Sequence, residues 1–272
     1  GGITVGAEAL AISGTGNAGN GALRNYTGAN TFGGTVTLGG ATTIQSDAGT
    51  LTLSNATAIA ADVNDVTFTG AGNTVVSGAI TGSTAGLTKT GNGKLTLGGN
   101  STFQGAVNVN AGTVSVNGAN GLGDATSGTV VATGASLELQ GSVNVASEPL
   151  SLTGTGFAGA GALRNLSGTN TFGGPITLAG DTSVQSDAGT LTISGNISAG
   201  TRTLTITGAS NTTLTGVMSG GMSAALTKNG SGTLTLTNSN TFGGATTINA
   251  GSVVVGGTDV LSDFALVNVN GG

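Results

Sequence analysis

The sequence predicts an all-β fold of the solenoid kind, a parallel β-helix in which successive turns of chain stack on one another. Three observations predict it: ordered phrases return at fixed offsets, short runs alternate apolar and polar residues, and glycine, asparagine and serine punctuate those runs at recurring places.

The offsets come first. Ala22-Leu23-Arg24-Asn25 returns as Ala162-Leu163-Arg164-Asn165, and Gln45–Thr52 returns unchanged as Gln185–Thr192, both at an offset of 140. Leu87-Thr88-Lys89 returns as Leu226-Thr227-Lys228 at 139, so one residue is lost between them. A finer period of 70 separates the asparagines that open an N-T-F or N-S-T-F phrase, Asn30, Asn100, Asn170 and Asn240. After the phrase phenylalanines Phe32, Phe103, Phe172 and Phe242, the next Ala-Gly turn glycine follows at +17, +9, +17 and +9. A nested pattern is expected, with units of about 70 residues alternating inside a super-repeat of about 140 residues. Its copies fall at 1–140 and 141–272 of one continuous segment. The first twelve residues align at offset 140 with 141–152 and the far end stops partway through a unit, which suits part of a longer array.

Each run reads as a strand. Thr35-Val36-Thr37-Leu38, Lys94-Leu95-Thr96-Leu97 and Thr233-Leu234-Thr235-Leu236 place Leu and Val on one side and mostly Thr on the other. That alternation, with β-branched threonine, suits a pleated surface with one buried face. No run of ten or more residues shows the spacing of an amphipathic helix. In a solenoid with turns of about 20 residues, the chain makes about 13 to 14 turns, with the four phrase phenylalanines inside and the phrase asparagines in an internal amide ladder.

Composition agrees and excludes several functions. Glycine fills 54 of 272 positions without a collagen register, proline two, and only 6% of residues are charged against 37% hydrophobic. Disordered chains combine low hydrophobicity with high net charge, and this chain has neither. Six basic residues spread over the chain form no patch able to neutralise a phosphate backbone, so no nucleic-acid partner is expected. No apolar run approaches the roughly 18 residues of a membrane span. Cysteine and histidine are absent, which removes disulfides, thiolate and imidazole metal sites, and Ser-His-Asp triads.

The ordered phrase resembles the autotransporter-associated β-strand repeat. It is carried by residues 87–97, then Asn100-Ser101-Thr102-Phe103-Gln104-Gly105 and Asn110-Ala111-Gly112-Thr113-Val114. It is carried again by residues 226–236, Asn240-Thr241-Phe242-Gly243-Gly244 and Asn249-Ala250-Gly251-Ser252-Val253. The resemblance implies a right-handed parallel β-helix exported to a bacterial surface, with a passenger, stalk or adhesive role and no catalytic residues to carry over. If a translocator barrel follows, it implies association with the outer membrane.

Candidate chemistry is thin. Asp62 with Asp65, and Asp181 with Asp187, could pair as carboxylates for glycoside chemistry or as a weak calcium site, but corner loops are the expected reading. Gly121-Leu122-Gly123-Asp124 reads as a turn, and Tyr26, matched by Leu166 in the second copy, as a packing position. Arg24 and Asp47 share a sequence separation of 23 with Arg164 and Asp187, close to one turn. Each arginine is therefore expected beside its aspartate on the neighbouring turn; independent surface charges are the equal alternative. No catalytic, metal or cofactor residues are expected, and no cofactor.

Two functions compete. The first is a non-enzymatic structural one: a stiff extracellular rod, stalk, sheath or filament whose partner is itself, through end-to-end stacking or continuation of the chain. The second is a binding module, directed to surface glycans or other cells, or to ice through outward Thr-x-Thr ranks such as Thr201/Thr203/Thr205/Thr207 and Thr233/Thr235/Thr237. An enzyme ranks a distant third.

Overall fold

The computed structural model describes residues 2–257, 260–261 and 266–271; Gly1 and Gly272, the ends of the repeat alignment, lie outside them. The chain is an all-β parallel solenoid of about 11 turns. It divides into two compact units, Gly1–Val130 and Val131–Gly272. Outside the strands, two single 3₁₀ turns, Asn17–Gly19 and Phe157–Gly159, are the helical elements among the described residues.

In the first unit three parallel ladders build the wall. One runs through Ala29–Phe32, Thr50–Leu53, Asn73–Val76, Lys94–Leu97 and Gly112–Val116. Another links Leu10–Gly14, Val36–Ser46, Thr57–Asp62 and Ala79–Gly82. The last joins Leu23–Asn25, the far half of Val36–Ser46, Val66–Thr69, Leu87–Lys89 and Val107–Val109. Side chains alternate across a strand, so each ladder turns every second residue inward. Leu53, Val76 and Leu97 from the first, Val36, Ile59 and Ile80 from the second, and Ile44, Phe68 and Leu87 from the third are buried together.

The second unit uses the same three-ladder plan. One ladder passes through Asn144–Val145, Thr169–Phe172, Thr190–Ile193, Asn211–Leu214, Thr233–Leu236 and Ser252–Val255. A second joins Leu150–Gly154, Ile176–Ser186, Ile197–Ser198 and Met218–Ser219. The third runs from Ala135–Gln140 through Leu163–Ser167, Ile176–Ser186, Thr203–Thr207, Ala225–Lys228 and Thr246–Ile248 to Val267–Val269.

Most turns are longer than the sequence suggested, so there are fewer of them than the 13 to 14 expected. The offset between ladder partners is 19 at Lys94↔Thr113, 23 at Leu53↔Val76 and 27 at Thr4↔Thr31. The longest turns carry an excursion that leaves the wall at Gly14 or Gly154 and returns at Gly21 or Gly161, all four glycines having positive φ. Corners elsewhere are tight: a Cβ on Gly189, at φ +81°, would lie 2.2 Å from the carbonyl oxygen of Gly168. Only glycine reconciles that φ with such a close approach of backbone to backbone.

Candidate functional site

The structure brings each arginine of the sequence-derived pairs to its aspartate. Arg24 Nε donates to Asp47 Oδ2 at 2.7 Å, and Arg164 Nε to Asp187 Oδ2 at 2.7 Å. Strand register places Arg24 against Gln45 and Arg164 against Gln185 on the adjoining rung, and the Gln side chains donate to the same carboxylates. Hydrogen bonds from Gln45 and then Arg24 hold the Asp47 carboxyl below its usual range. The two arginines differ in a residue that sequence reasoning missed. Arg164 Nη1 also donates to the buried Glu138 at 2.8 Å, so its guanidinium joins three successive rungs. Burial opposes the charge on Arg164, but Asp187 and Glu138 together raise its pKa.

Three of the four phrase asparagines share one task. The side-chain oxygen of Asn30 accepts the N–H of Ile3, that of Asn170 the N–H of Val143, and that of Asn240 the N–H of Met218, each one turn earlier. Asn100 is exposed instead, and Ser101 does its work, its Oγ accepting the N–H of Ile80 at 3.1 Å. Asn30 and Asn170 also reach into an amide network, donating to Asn25 and Asn165 respectively. Asn165 Nδ2 in turn donates to Ser186 Oγ and Ala188 O. Phe32, Phe103, Phe172 and Phe242 are all buried.

Two lysines that recur in the sequence hold positions which were not foreseen. Lys89 stands in register with Phe68 and Val109, and Lys228 with Ile206 and Ile248, so both side chains start from inward-facing positions. The ammonium of Lys89 donates to the carbonyls of Thr90 (2.6 Å), Gly91 (2.7 Å) and Ala111 (3.3 Å), and that of Lys228 to those of Asn229 (2.8 Å), Gly230 (2.7 Å) and Ala250 (3.3 Å). Burial lowers the pKa of both, that of Lys89 to about 8.

Of the carboxylates weighed as pairs, Asp187 is held by the side chains of Arg164 and Gln185, while Asp65 and Asp181 accept backbone N–H groups. Asp65 Oδ1 accepts the N–H of Gly86 at 2.8 Å, and Asp181 Oδ1 that of Thr203 at 2.9 Å. Asp62 sits on a corner at φ +55°. No group of three or more acidic side chains that could hold a metal occurs among the described residues. Tyr26 is 72% exposed beneath the Arg24 guanidinium, 5.3 Å from ring centroid to Cζ, which corrects the expectation that it packs. Of the threonine ranks, Thr171, Thr192, Thr213 and Thr235 stand in one unbroken column on the second unit. The neighbouring column of Thr169, Thr190 and Thr233 is interrupted by Asn211. On the third ladder of that unit, Thr205 and Thr207 floor an open groove of about 360 Å³.

The passenger-associated-transport-repeat family matches residues 87–116 and 226–255, the segments that contain Lys89, Ser101 and Phe103 and Lys228, Asn240 and Phe242. Over 208 residues, 62% of the chain, the sequence is 33% identical to the adhesin BmaC autotransporter of Brucella suis biovar 1 (strain 1330). The chain spans only 6% of the length of that relative. No solved structure matches. No helix among the described residues is long and apolar enough to cross a membrane. The repeats and the adhesin relative give the chain an extracellular or cell-surface location. Set as they are into parallel ladders, the two matched segments make the chain a bearer of the passenger-associated-transport-repeat.

Proposed function

We propose that the chain is a length of autotransporter passenger, a non-enzymatic β-helical stalk that serves adhesion at a bacterial surface. The observation that carries this reading is the coincidence of the two matched repeats with stacked, in-register parallel ladders. Continuous ladders resist deformation because every inner strand is hydrogen-bonded on both sides, which supports a stiff rod or sheath that holds a binding surface away from the membrane. The targets are surface glycans or other cells. Displaying the chain ahead of a translocator barrel on a Gram-negative host, and counting attachment to cultured cells, tests the adhesive role; attachment no greater than with the barrel alone ends it. End-to-end stacking of copies is a separate proposal, checked by sedimentation across a wide concentration range, where a persistent monomer refutes it.

The threonine column of the second unit favours a second reading, in which that face orders water at an ice surface. Recrystallisation of ice in the presence of the protein decides it: grains that coarsen as fast as in buffer exclude this role.

A further inference from the structure

The excursion Thr155–Gly161 of the second unit overhangs the outward face of the wall and makes a groove there. Its base is clasped by the Gly161 N–H, which donates to the carbonyl of Thr155 at 2.8 Å. Thr155 and Gly159 form one side of the groove. The floor is two rungs deep, with Ser183 and Gln185 in register against Thr205 and Thr207. Asp181 and Asn229 close it at its margins.

Ser183 is the informative residue. It occupies an outward position on its strand, where a hydroxyl would ordinarily be wetted, yet it is only 7% exposed. Its Oγ makes no hydrogen bond to the described residues, whereas the hydroxyl beside it is fully used: Thr182 Oγ1 donates to Leu152 O and Gly180 O. The Ser183 Oγ is not among the buried side-chain atoms left unpaired in the described residues, which are those of Ser115, Thr212 and Thr246; it opens to the groove, where a hydroxyl can both donate to and accept from a ligand hydroxyl. Around it stand a carboxylate with one oxygen committed to Thr203 N–H, a glutamine whose amide nitrogen is held by Asp187, and the hydroxyls of Thr205 and Thr207.

We infer that this groove is a binding subsite for a neutral saccharide. Hydroxyl, amide and carboxylate groups that both donate and accept, at close spacing on rigid strands, match vicinal sugar hydroxyls, and the volume lies within the usual range for small-ligand pockets. The lining carries one carboxylate and no cation, which disfavours sulfated and uronic sugars. The first unit has the same excursion but Ala41 where Asp181 stands and Thr43 where Ser183 stands, so the full set occurs in the second unit. This inference rests on the adhesive reading and deepens it by naming a ligand class.

The test titrates the whole chain with lactose, maltose and cellobiose while recording ¹H–¹⁵N spectra. At least one sugar is expected to shift the amides of 181–185 and 205–207 together, with affinity falling tenfold or more in Asp181→Ala and Ser183→Ala. Asp181→Ala installs the residue that the first unit already tolerates, and Thr43→Val in the first unit serves as the control that keeps wild-type affinity. No shifts with any of the three sugars, shifts located elsewhere, or equal affinity in the variants overturns the subsite. Displayed passenger that still attaches to cells after Asp181→Ala, with no sugar bound by the isolated chain, refutes the groove and leaves the adhesive reading standing.

Discussion

The Nζ of Lys228 lies 2.8 Å from the position that a Cβ on Gly251 would take, on the next turn of the chain. An ammonium thus fills the space that the glycine corner leaves open, and three backbone carbonyls surround it. The ammonium of Lys89 is likewise surrounded by three backbone carbonyls, those of Thr90, Gly91 and Ala111.

Replacing Lys89 with methionine keeps an apolar stem and removes the donor, leaving three carbonyls short of a partner. A cost of about 1–3 kcal/mol is expected in urea unfolding. The wild type should also show a pH signature that the variant lacks. Burial sets folded Lys89 at about 8 against 10.5 for the free side chain. Between those values the unfolded chain holds a proton that the folded chain has released, so stability rises with pH through that window and is level below it. Urea midpoints measured across the window check this; a wild type and K89M with parallel profiles would contradict the assignment.

Arg164→Ala should destabilise the protein far more than Arg24→Ala. Arg24 is 38% exposed in its side chain and pairs with an accessible carboxylate, where solvent screens the attraction. Arg164 supplies charged hydrogen bonds to Glu138, which is 3% exposed, as well as to Asp187, and losing such bonds costs about 1.5–3 kcal/mol. Thermal unfolding of the two variants separates them, and equal losses would mean that the contact to Glu138 adds nothing.

Asn170→Ala and Asn240→Ala each orphan a buried N–H, on Val143 and Met218, and should cost about 1–3 kcal/mol in chemical denaturation. Asn100→Ala should fall within about 0.5 kcal/mol of wild type, as exposed positions usually do. Ser101→Ala should behave like the buried pair, because its Oγ receives the Ile80 N–H.

Gly189→Ala should be among the most harmful single-methyl additions. Its φ of +81° and the 2.2 Å approach to Gly168 O both oppose a Cβ. A positive φ imposed on a non-glycine residue costs on the order of 1–3 kcal/mol, and the clash adds to it. A variant with unchanged melting would show that this corner can open freely.

The solenoid was legible because its wall is made of period-two runs, and a strand that buries one face must alternate. Turn number was less so: excursions such as Thr155–Gly161 lengthen a turn without adding a strand, and they read like any other glycine-rich corner. The even spacing that groups Asn100 with the other phrase asparagines misled. The interior is indexed by Phe103 and Phe242, at an offset of 139, which puts Ser101 where Asn240 stands. Lys89 and Lys228 were visible as recurrences in an L-T-K phrase, yet a lysine at an inward position looks like a surface charge until its carbonyl cage is seen. Glu138 gave no signal, because its partner Arg164 already had an acceptor in Asp187. Tyr26 was misjudged by analogy with Leu166, which occupies a matching place in the alignment but has no bearing on exposure.

The excursion of the first unit closes upon itself: Gly21 N–H meets the Thr15 carbonyl at 2.7 Å, and Asn20 N–H meets that of Asn17. The ladders on either side, Leu10–Gly14 and Leu23–Asn25, keep their register whatever is hung between them. Evolution can therefore lengthen or exchange the tip at this corner without renegotiating the wall, and a foreign peptide spliced between Asn17 and Asn20 should be carried as cargo.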